Sequence, residues 1–167
     1  EDAAAEPHIS DLGEMLIKMG AKITGLGTNT LTIAGGKLKG CEHKVMPDHI
    51  EVGTFIIASA ITGGHIKIND FRLRDNRMAL LAFDNMGIKY KLNDNSIEVF
   101  PSKLMVTRKK IKAQPWPGFP TDLMSPFIVL ATQAEGTFLC HDFMYEWRMF
   151  FVDDLIGMGA NIFIADP

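Results

Sequence analysis

The segment richest in chemically capable side chains is residues 114–123, Gln-Pro-Trp-Pro-Gly-Phe-Pro-Thr-Asp-Leu. Three prolines and one glycine favour a stiff loop, which carries an aromatic side chain in front of a predicted helix. Because the N–H groups at a helix N-terminus favour negative charge, this loop is a candidate ligand platform. Thr121 or Asp122 could instead cap the helix. The two interpretations are compatible, since a partly buried carboxylate can cap a helix and also face a ligand hydroxyl.

Arg148 is the second candidate, and we predict that it lies at the start of the last helix. Its guanidinium could bind an anion, because arginine presents a fixed fork of hydrogen-bond donors. It could equally form a surface ion pair with Glu146 or Asp142, and such pairs contribute little stability. The sequence leaves both alternatives open.

Cys140, His141 and Asp142 have the residue types of a nucleophile, a base and an orienting acid. Consecutive residues of a strand point to opposite faces, so the three cannot form a relay. We interpret Cys140 as a buried thiol, and Cys41 in the same way. The five histidines include no i, i+4 pair and no His-Glu helix motif, which gives no support for a metal site.

Two glycine-rich stretches are poor candidates for phosphate binding. Residues 34–38 have Leu where a P-loop needs Ser or Thr after its lysine. Residues 25–28 join two predicted strands, whereas a dinucleotide fingerprint joins a strand to a helix. We therefore expect no metal and no cofactor.

The composition limits the classes of protein that need considering. The chain has 167 residues, 47% of them apolar, which is long enough for a real core. Its apolar runs are far shorter than the roughly 20 residues that cross a bilayer, and no signal peptide opens it, so we expect a cytoplasmic protein. The net charge is -3, and the basic cluster within residues 108–112 is too short to imply nucleic-acid binding. A solvated strand face fits that cluster better.

The elements that position these side chains are marked by three Met-Gly pairs, which end at Gly20, Gly87 and Gly159. Each glycine fits the left-handed position just past a helix end. Before the first pair, apolar residues at helical spacing predict one buried stripe, with Pro7 at the first helical position. The stripe consists of Ile9, Leu12, Leu16 and Met19.

Hairpins are predicted after the first two pairs, from residues 21–24 with 30–34 and from residues 89–92 with 97–100. After the third pair only one strand, residues 161–165, is predicted. We expect the chain to be an interior fragment of a longer protein, because it also begins without Met and with half of a repeat.

A longer repeat of 72 residues covers most of the chain. It relates Phe55, Gly64, Met86 and Gly87 to Phe127, Gly136, Met158 and Gly159. The unit reads strand, helix, strand, helix, hairpin, which predicts an α/β fold with right-handed crossovers between parallel strands.

Several segments, in order and over essentially the whole chain, resemble the UDP-N-acetylglucosamine enolpyruvyl transferase (1-carboxyvinyltransferase) family. They include Met-Gly-Ala-Lys-Ile at 19–23, Met-Pro-Asp-His-Ile-Glu-Val-Gly-Thr-Phe at 46–55, Phe-Pro-Thr-Asp at 119–122 and Ala-Glu-Gly-Thr at 134–137. The resemblance implies repeated βαβαββ units with helices inside and sheet outside. It also implies that residues 1–46 close one domain and that residues 47–167 supply two units of the second, the last incomplete.

The same resemblance implies the chemistry. The family transfers the enolpyruvyl group of phosphoenolpyruvate to the 3-hydroxyl of UDP-N-acetylglucosamine and releases phosphate, the first committed step of peptidoglycan synthesis. Asp122 would contact the sugar and uridine and accept a proton, with Thr121 beside it in the motif. Met144 would lie beside the uracil, and Arg148 would complete the substrate contacts. The expected partners are the two substrates and the rest of the same polypeptide.

Three positions differ from the family pattern. Trp116 stands where a smaller or imidazole side chain is common, Trp147 replaces an Asn, and His49 replaces an Arg. The family's lysine, its loop with a catalytic Cys or Asp, and its late arginine have no counterparts here, so we expect the fragment alone to be inactive. The alternative is a non-catalytic binding or assembly module on the same scaffold.

Overall fold

The computed structural model describes residues 1–145 and 148–165. It divides into two units, Glu1–Asp48 and His49–Pro167. The assignment of residues 1–46 and 47–167 to two transferase domains remains a prediction. No helix in the described part of the chain is long and apolar enough to span a membrane.

The first unit is a helix followed by a hairpin. Helix α1 spans Pro7–Lys18 and has proline in its first turn, as predicted. Strands β1 (Lys22–Thr24) and β2 (Thr32–Ala34) pair antiparallel, with Lys22 opposite Ala34. The predicted stripe is wrong at Leu12, whose side chain is exposed. Within this unit, α1 approaches the loop of the hairpin closely at Gly13. A Cβ added at Gly13 would lie 2.2 Å from Leu26 Cδ2.

The three Met-Gly glycines take the predicted left-handed conformation. Their φ angles are 107° at Gly20, 74° at Gly87 and 96° at Gly159. A side chain at such a φ would be strained, so glycine ends each helix and redirects the chain.

The second unit opens with the first copy of the repeat. Its elements are α2 (His49–Ile61), β3 (Ile66–Asn69), α3 (Leu73–Asp84), β4 (Lys89–Asn93) and β5 (Ser96–Phe100). The strands form an antiparallel sheet in the order β3-β5-β4, and the predicted second hairpin is its β4-β5 pair. Central strand β5 is the most buried of the three because it has a neighbour on each side.

The second copy positions the candidate residues. Its elements are β6 (Lys110–Lys112), a 3-10 helix (Thr121–Leu123), α4 (Met124–Thr132), β7 (Leu139–His141) and α5 (Val152–Gly157). Strands β6 and β7 pair in parallel, with Ile111 opposite Cys140. Lys110 and Lys112 are exposed on either side of Ile111, which confirms the solvated strand face.

The core of the second unit is built around its helices. Helix α2 contacts α3, α4, the 3-10 helix and β5. The rings of Phe83 and Phe119 lie 6.5 and 5.4 Å from that of Phe127, centre to centre, and all three residues are at most 1% exposed. Helices of both repeat copies therefore share one apolar core.

Two predictions about the last part of the chain are wrong. Residues 161–165 form no strand, because no described segment pairs with them. Arg148 does not start a helix: α5 begins at Val152, and Arg148 lies in the turn before it.

Candidate functional site

The proline-rich loop is fixed at both ends by backbone hydrogen bonds. Ala113 N–H donates to the carbonyl of His141 at 2.9 Å, and Gln114 N–H donates to that of Phe119 at 3.0 Å. The Phe119 side chain enters the core. These contacts bring the following residues, Thr121 and Asp122, to the surface in a defined orientation.

Neither Thr121 nor Asp122 caps a helix, so the capping interpretation is wrong. Both lie inside the 3-10 helix, whose N-cap is Pro120 and which has no side-chain cap. The Thr121 hydroxyl instead donates to Asp142 Oδ2 at 2.5 Å. The Thr121 side chain is therefore directed at the segment that follows β7.

Arg148 contacts the two candidates on the 3-10 helix. Its Nη1 donates to the Thr121 carbonyl at 2.8 Å and to Asp122 Oδ1 at 3.0 Å. Its guanidinium carbon lies 4.4 Å from the centre of the Tyr145 ring. The ion-pair partner of Arg148 is Asp122 and not Asp142, while Glu146 lies outside the described residues.

Asp122 is the most accessible group of the site. Its side chain is 62% exposed, against 24% for Arg148. Among the described residues Oδ1 has a partner and Oδ2 has none. A carboxylate that is oriented by one oxygen and open at the other can accept a hydrogen bond or a proton from a bound molecule.

Met144 completes the set of four predicted residues. It is half-buried and packs against the core of the second unit. Its N–H donates to Asp142 Oδ1 at 2.9 Å. The fold thus links Thr121, Asp122, Met144 and Arg148, although more than 20 residues separate the first two from the last two.

Sequence reasoning missed Asp142. It considered this residue within a Cys-His-Asp relay, which the structure does not form, and as an ion-pair partner of Arg148, whose partner is Asp122. Leu139 and His141 are exposed while Cys140 between them is turned inward, and burial raises the pKa of the Cys140 thiol to about 12. An Asp that precedes a turn and accepts from the N–H two residues on is a recognisable Asx pattern, and that signal could have identified Asp142.

The described residues contain no cluster of three or more His, Cys, Asp or Glu that could hold a metal ion. Cys41 lies in the first unit, where its thiol approaches the Met15 carbonyl at 3.8 Å.

Comparison with known proteins identifies the family. The model of EPSP synthase (3-phosphoshikimate 1-carboxyvinyltransferase) matches residues 1–166. The chain belongs to this enolpyruvyl transferase family. The enolpyruvyl transferase NikO from Streptomyces tendae matches 99% of the chain with a TM-score of 0.81 and 22% identity, which confirms the α/β fold of the family.

Relatives within the family agree on one enzyme. The chain is 49% identical to UDP-N-acetylglucosamine 1-carboxyvinyltransferase of Treponema denticola and 43% identical to that of Porphyromonas gingivalis, over 99% of its own length in both cases. It spans 41% and 40% of the lengths of these relatives. The resemblance stated from the sequence is therefore confirmed, with this chain matching less than half of each relative.

Two of the three positions that we expect to differ from the family pattern contact each other. The rings of His49 and Trp116 meet edge to face with centres 5.6 Å apart, and His49 is only 6% exposed. Trp116 stands in the loop before Asp122, and His49 is the first residue of α2. The aromatic side chain of the loop thus packs on α2. Trp147, the third position, lies outside the described residues.

Proposed function

We propose that the protein to which this chain belongs transfers the enolpyruvyl group of phosphoenolpyruvate to the 3-hydroxyl of UDP-N-acetylglucosamine. Phosphate is released, and the product enters peptidoglycan synthesis. The names of the relatives support the substrate and the reaction. The observation that carries the proposal is the convergence of Thr121, Asp122, Met144 and Arg148 at one surface.

Asp122 is the proton acceptor in this proposal. The sugar hydroxyl loses its proton to Asp122 Oδ2 as its oxygen adds to C2 of the enolpyruvyl group, and C3 gains a proton from elsewhere in the complete site. The tetrahedral intermediate then loses phosphate and a C3 proton. Arg148 holds the other carboxylate oxygen at 3.0 Å, which orients the base toward the substrate.

Met144 and Thr121 lie on the nucleotide side of the same surface. Met144 offers a flexible apolar side chain against the uracil ring, a contact suited to thioether and aromatic groups. Thr121 fixes the backbone that carries Asp122. Phosphoenolpyruvate is bound by groups in the rest of the polypeptide, so the 167-residue chain alone is proposed not to turn over. A cytoplasmic location belongs to the same proposal.

The test is Asp122→Asn in the full-length protein, which keeps the shape and removes the base. We expect kcat to fall by about 100- to 10000-fold in a phosphate-release assay, the usual contribution of general acid–base catalysis. Asp94→Ala is the matched control, since Asp94 is an exposed turn residue between β4 and β5. A near-normal rate for Asp122→Asn would refute the role of Asp122.

Calorimetry separates this proposal from a non-catalytic binding or assembly module. The full-length protein should bind the uridine nucleotide sugar, and Asp122→Ala should weaken that binding. If the wild type showed no binding and no phosphate release, the result would favour the module. Turnover by the 167-residue chain alone would overturn the statement that it holds only part of the site.

A further inference from the structure

Asp142 connects two segments with its two carboxylate oxygens. Oδ2 accepts from the Thr121 hydroxyl at 2.5 Å, and Oδ1 accepts from the Met144 N–H at 2.9 Å. One oxygen thus binds the 3-10 helix and the other binds the turn after β7. Hydrogen bonds to an ionised acceptor are stronger than neutral ones, so both segments are well restrained.

Arg148 joins the same segments a second time. It donates to the carbonyl of Thr121, whose hydroxyl is held by Asp142. Thr121 is therefore fixed through its side chain by one residue and through its backbone by another. The peptide that leads to Asp122 has little freedom to rotate.

Asp142 can hold these two segments in place because its own backbone is firmly anchored. It follows directly after β7, whose last residue, His141, pairs with Lys112 and accepts the Ala113 N–H. Cys140 on the same strand packs against the core. The carboxylate consequently extends from backbone that is anchored on two sides.

We propose that Asp142 is a positioning residue that sets the separation between Asp122 and Met144, and with it the fit of the nucleotide sugar. The inference rests on the proposed function. Asp142 itself does not touch the reacting atoms: both of its oxygens are engaged by Thr121 and Met144. Its effect reaches the substrate through the two groups that it holds.

The proposal predicts unequal effects on the two substrates. In the full-length protein, Asp142→Ala should lower kcat/KM for the nucleotide sugar by about 10- to 100-fold, the range expected when a reacting group is displaced by an ångström or so. KM for phosphoenolpyruvate should stay near its wild-type value, because Asp142 holds only groups on the nucleotide side. Asp142→Asn should lie between Ala and wild type, since its single carboxamide oxygen can keep one of the two acceptor roles.

A double-mutant cycle tests the route through Thr121. Thr121→Val removes the hydroxyl, whereas Thr121→Ser keeps a donor and should lose less affinity for the nucleotide sugar. The combined Asp142→Ala and Thr121→Val variant should lose less than the product of the two single effects, because both break the same contact. Protection of the Met144 amide from hydrogen exchange should fall in Asp142→Ala and persist in Asp94→Ala.

The outcomes distinguish this inference from the function on which it rests. If the wild-type protein neither binds the nucleotide sugar nor releases phosphate, the proposed function fails and the inference fails with it. If the wild type is active and Asp142→Ala matches Asp94→Ala in kcat/KM, only the positioning role is overturned. Equal increases in KM for both substrates, accompanied by a lower Tm, would make Asp142 a merely structural residue and would also overturn it.

Discussion

A single nitrogen of Arg148 joins an exposed carboxylate to a partly buried backbone carbonyl. Nη1 lies 3.0 Å from Asp122 Oδ1 and 2.8 Å from the Thr121 carbonyl oxygen. The nitrogen carries two hydrogens and can donate one to each acceptor. The catalytic candidate is therefore oriented by a group that is itself held to the chain immediately before it.

Substitutions of Asp122 and Arg148 should differ in their effect on the free energy of unfolding. Asp122→Ala removes a contact on a mostly exposed side chain and should lower the free energy of unfolding by no more than about 1 kcal/mol. Arg148→Ala also leaves the Thr121 carbonyl without its donor and should cost about 1–3 kcal/mol. Urea denaturation of the two variants measures the difference.

Arg108→Ala serves as the control for these variants, because Arg108 is exposed within the basic cluster. Its effect should stay within about 0.5 kcal/mol, as for most surface substitutions. Equal destabilisation by Asp122→Ala and Arg148→Ala would contradict the bond to the Thr121 carbonyl as the stabilising contact.

Gly53 sets how closely α2 approaches the 3-10 helix. A Cβ at Gly53 would lie 2.8 Å from Leu123 Cδ1, and Leu123 is fully buried. Gly53→Ala should therefore destabilise the protein by about 1–3 kcal/mol through overpacking. Since Leu123 follows Asp122, the variant should also lower turnover of the full-length protein. Thermal unfolding and phosphate release provide the two measurements.

Gly157→Ala is the matched control in α5. A Cβ there would meet no atom of the described residues within 4 Å, and the backbone φ is not positive. It should stabilise the protein by about 0.4–1 kcal/mol by restricting the unfolded chain. A Gly53→Ala protein as stable as Gly157→Ala would show that α2 can move away from Leu123 without loss.

His49 and Trp116 should contribute to stability as a pair. Their edge-to-face contact at 5.6 Å joins the start of α2 to the proline-rich loop. A double-mutant cycle of His49→Ala and Trp116→Ala should give a coupling energy of about 0.5–1.5 kcal/mol. Additive effects in urea denaturation would mean that the contact between the two rings does not help to hold the loop.

The Cys140 thiol should be unreactive in the folded protein. Burial raises its pKa to about 12 from an ordinary value of 9.0, so the thiolate that reacts with disulfide reagents is scarce at pH 8. In a Cys41→Ser background, labelling should be slow in buffer and fast in urea. Rapid labelling of the folded protein would contradict the burial of this strand position.

The same shift predicts how stability depends on pH. Because the pKa of Cys140 is higher in the folded than in the unfolded state, its contribution is complete below pH 9 and is lost as the pH rises toward about 12. Cys140→Ala should remove this part of the alkaline loss when urea midpoints are compared between pH 8 and pH 11. An unchanged pH profile would contradict the assignment.

Local signals were sufficient for much of the architecture. The Met-Gly pairs ended helices at Gly20, Gly87 and Gly159 because left-handed φ strongly favours glycine, a property that acts within a few residues. The two hairpins were likewise predicted from signals within a few residues. The strand predicted for residues 161–165 failed because a strand needs a partner, which local pattern cannot supply.

By itself the sequence determined the repeat, the helices that end before Gly20, Gly87 and Gly159, the hairpins after the first two of these glycines, and the family resemblance. It also identified Thr121, Asp122, Met144 and Arg148 as candidates. Only the tertiary structure decided which groups meet. The parallel pairing of β6 with β7 brings the turn after β7 to the 3-10 helix, so that Arg148 binds Asp122 and Asp142 binds Thr121. Contacts across more than 20 residues depend on this pairing and on the shared core, whereas capping and surface-pair interpretations considered only chain neighbours.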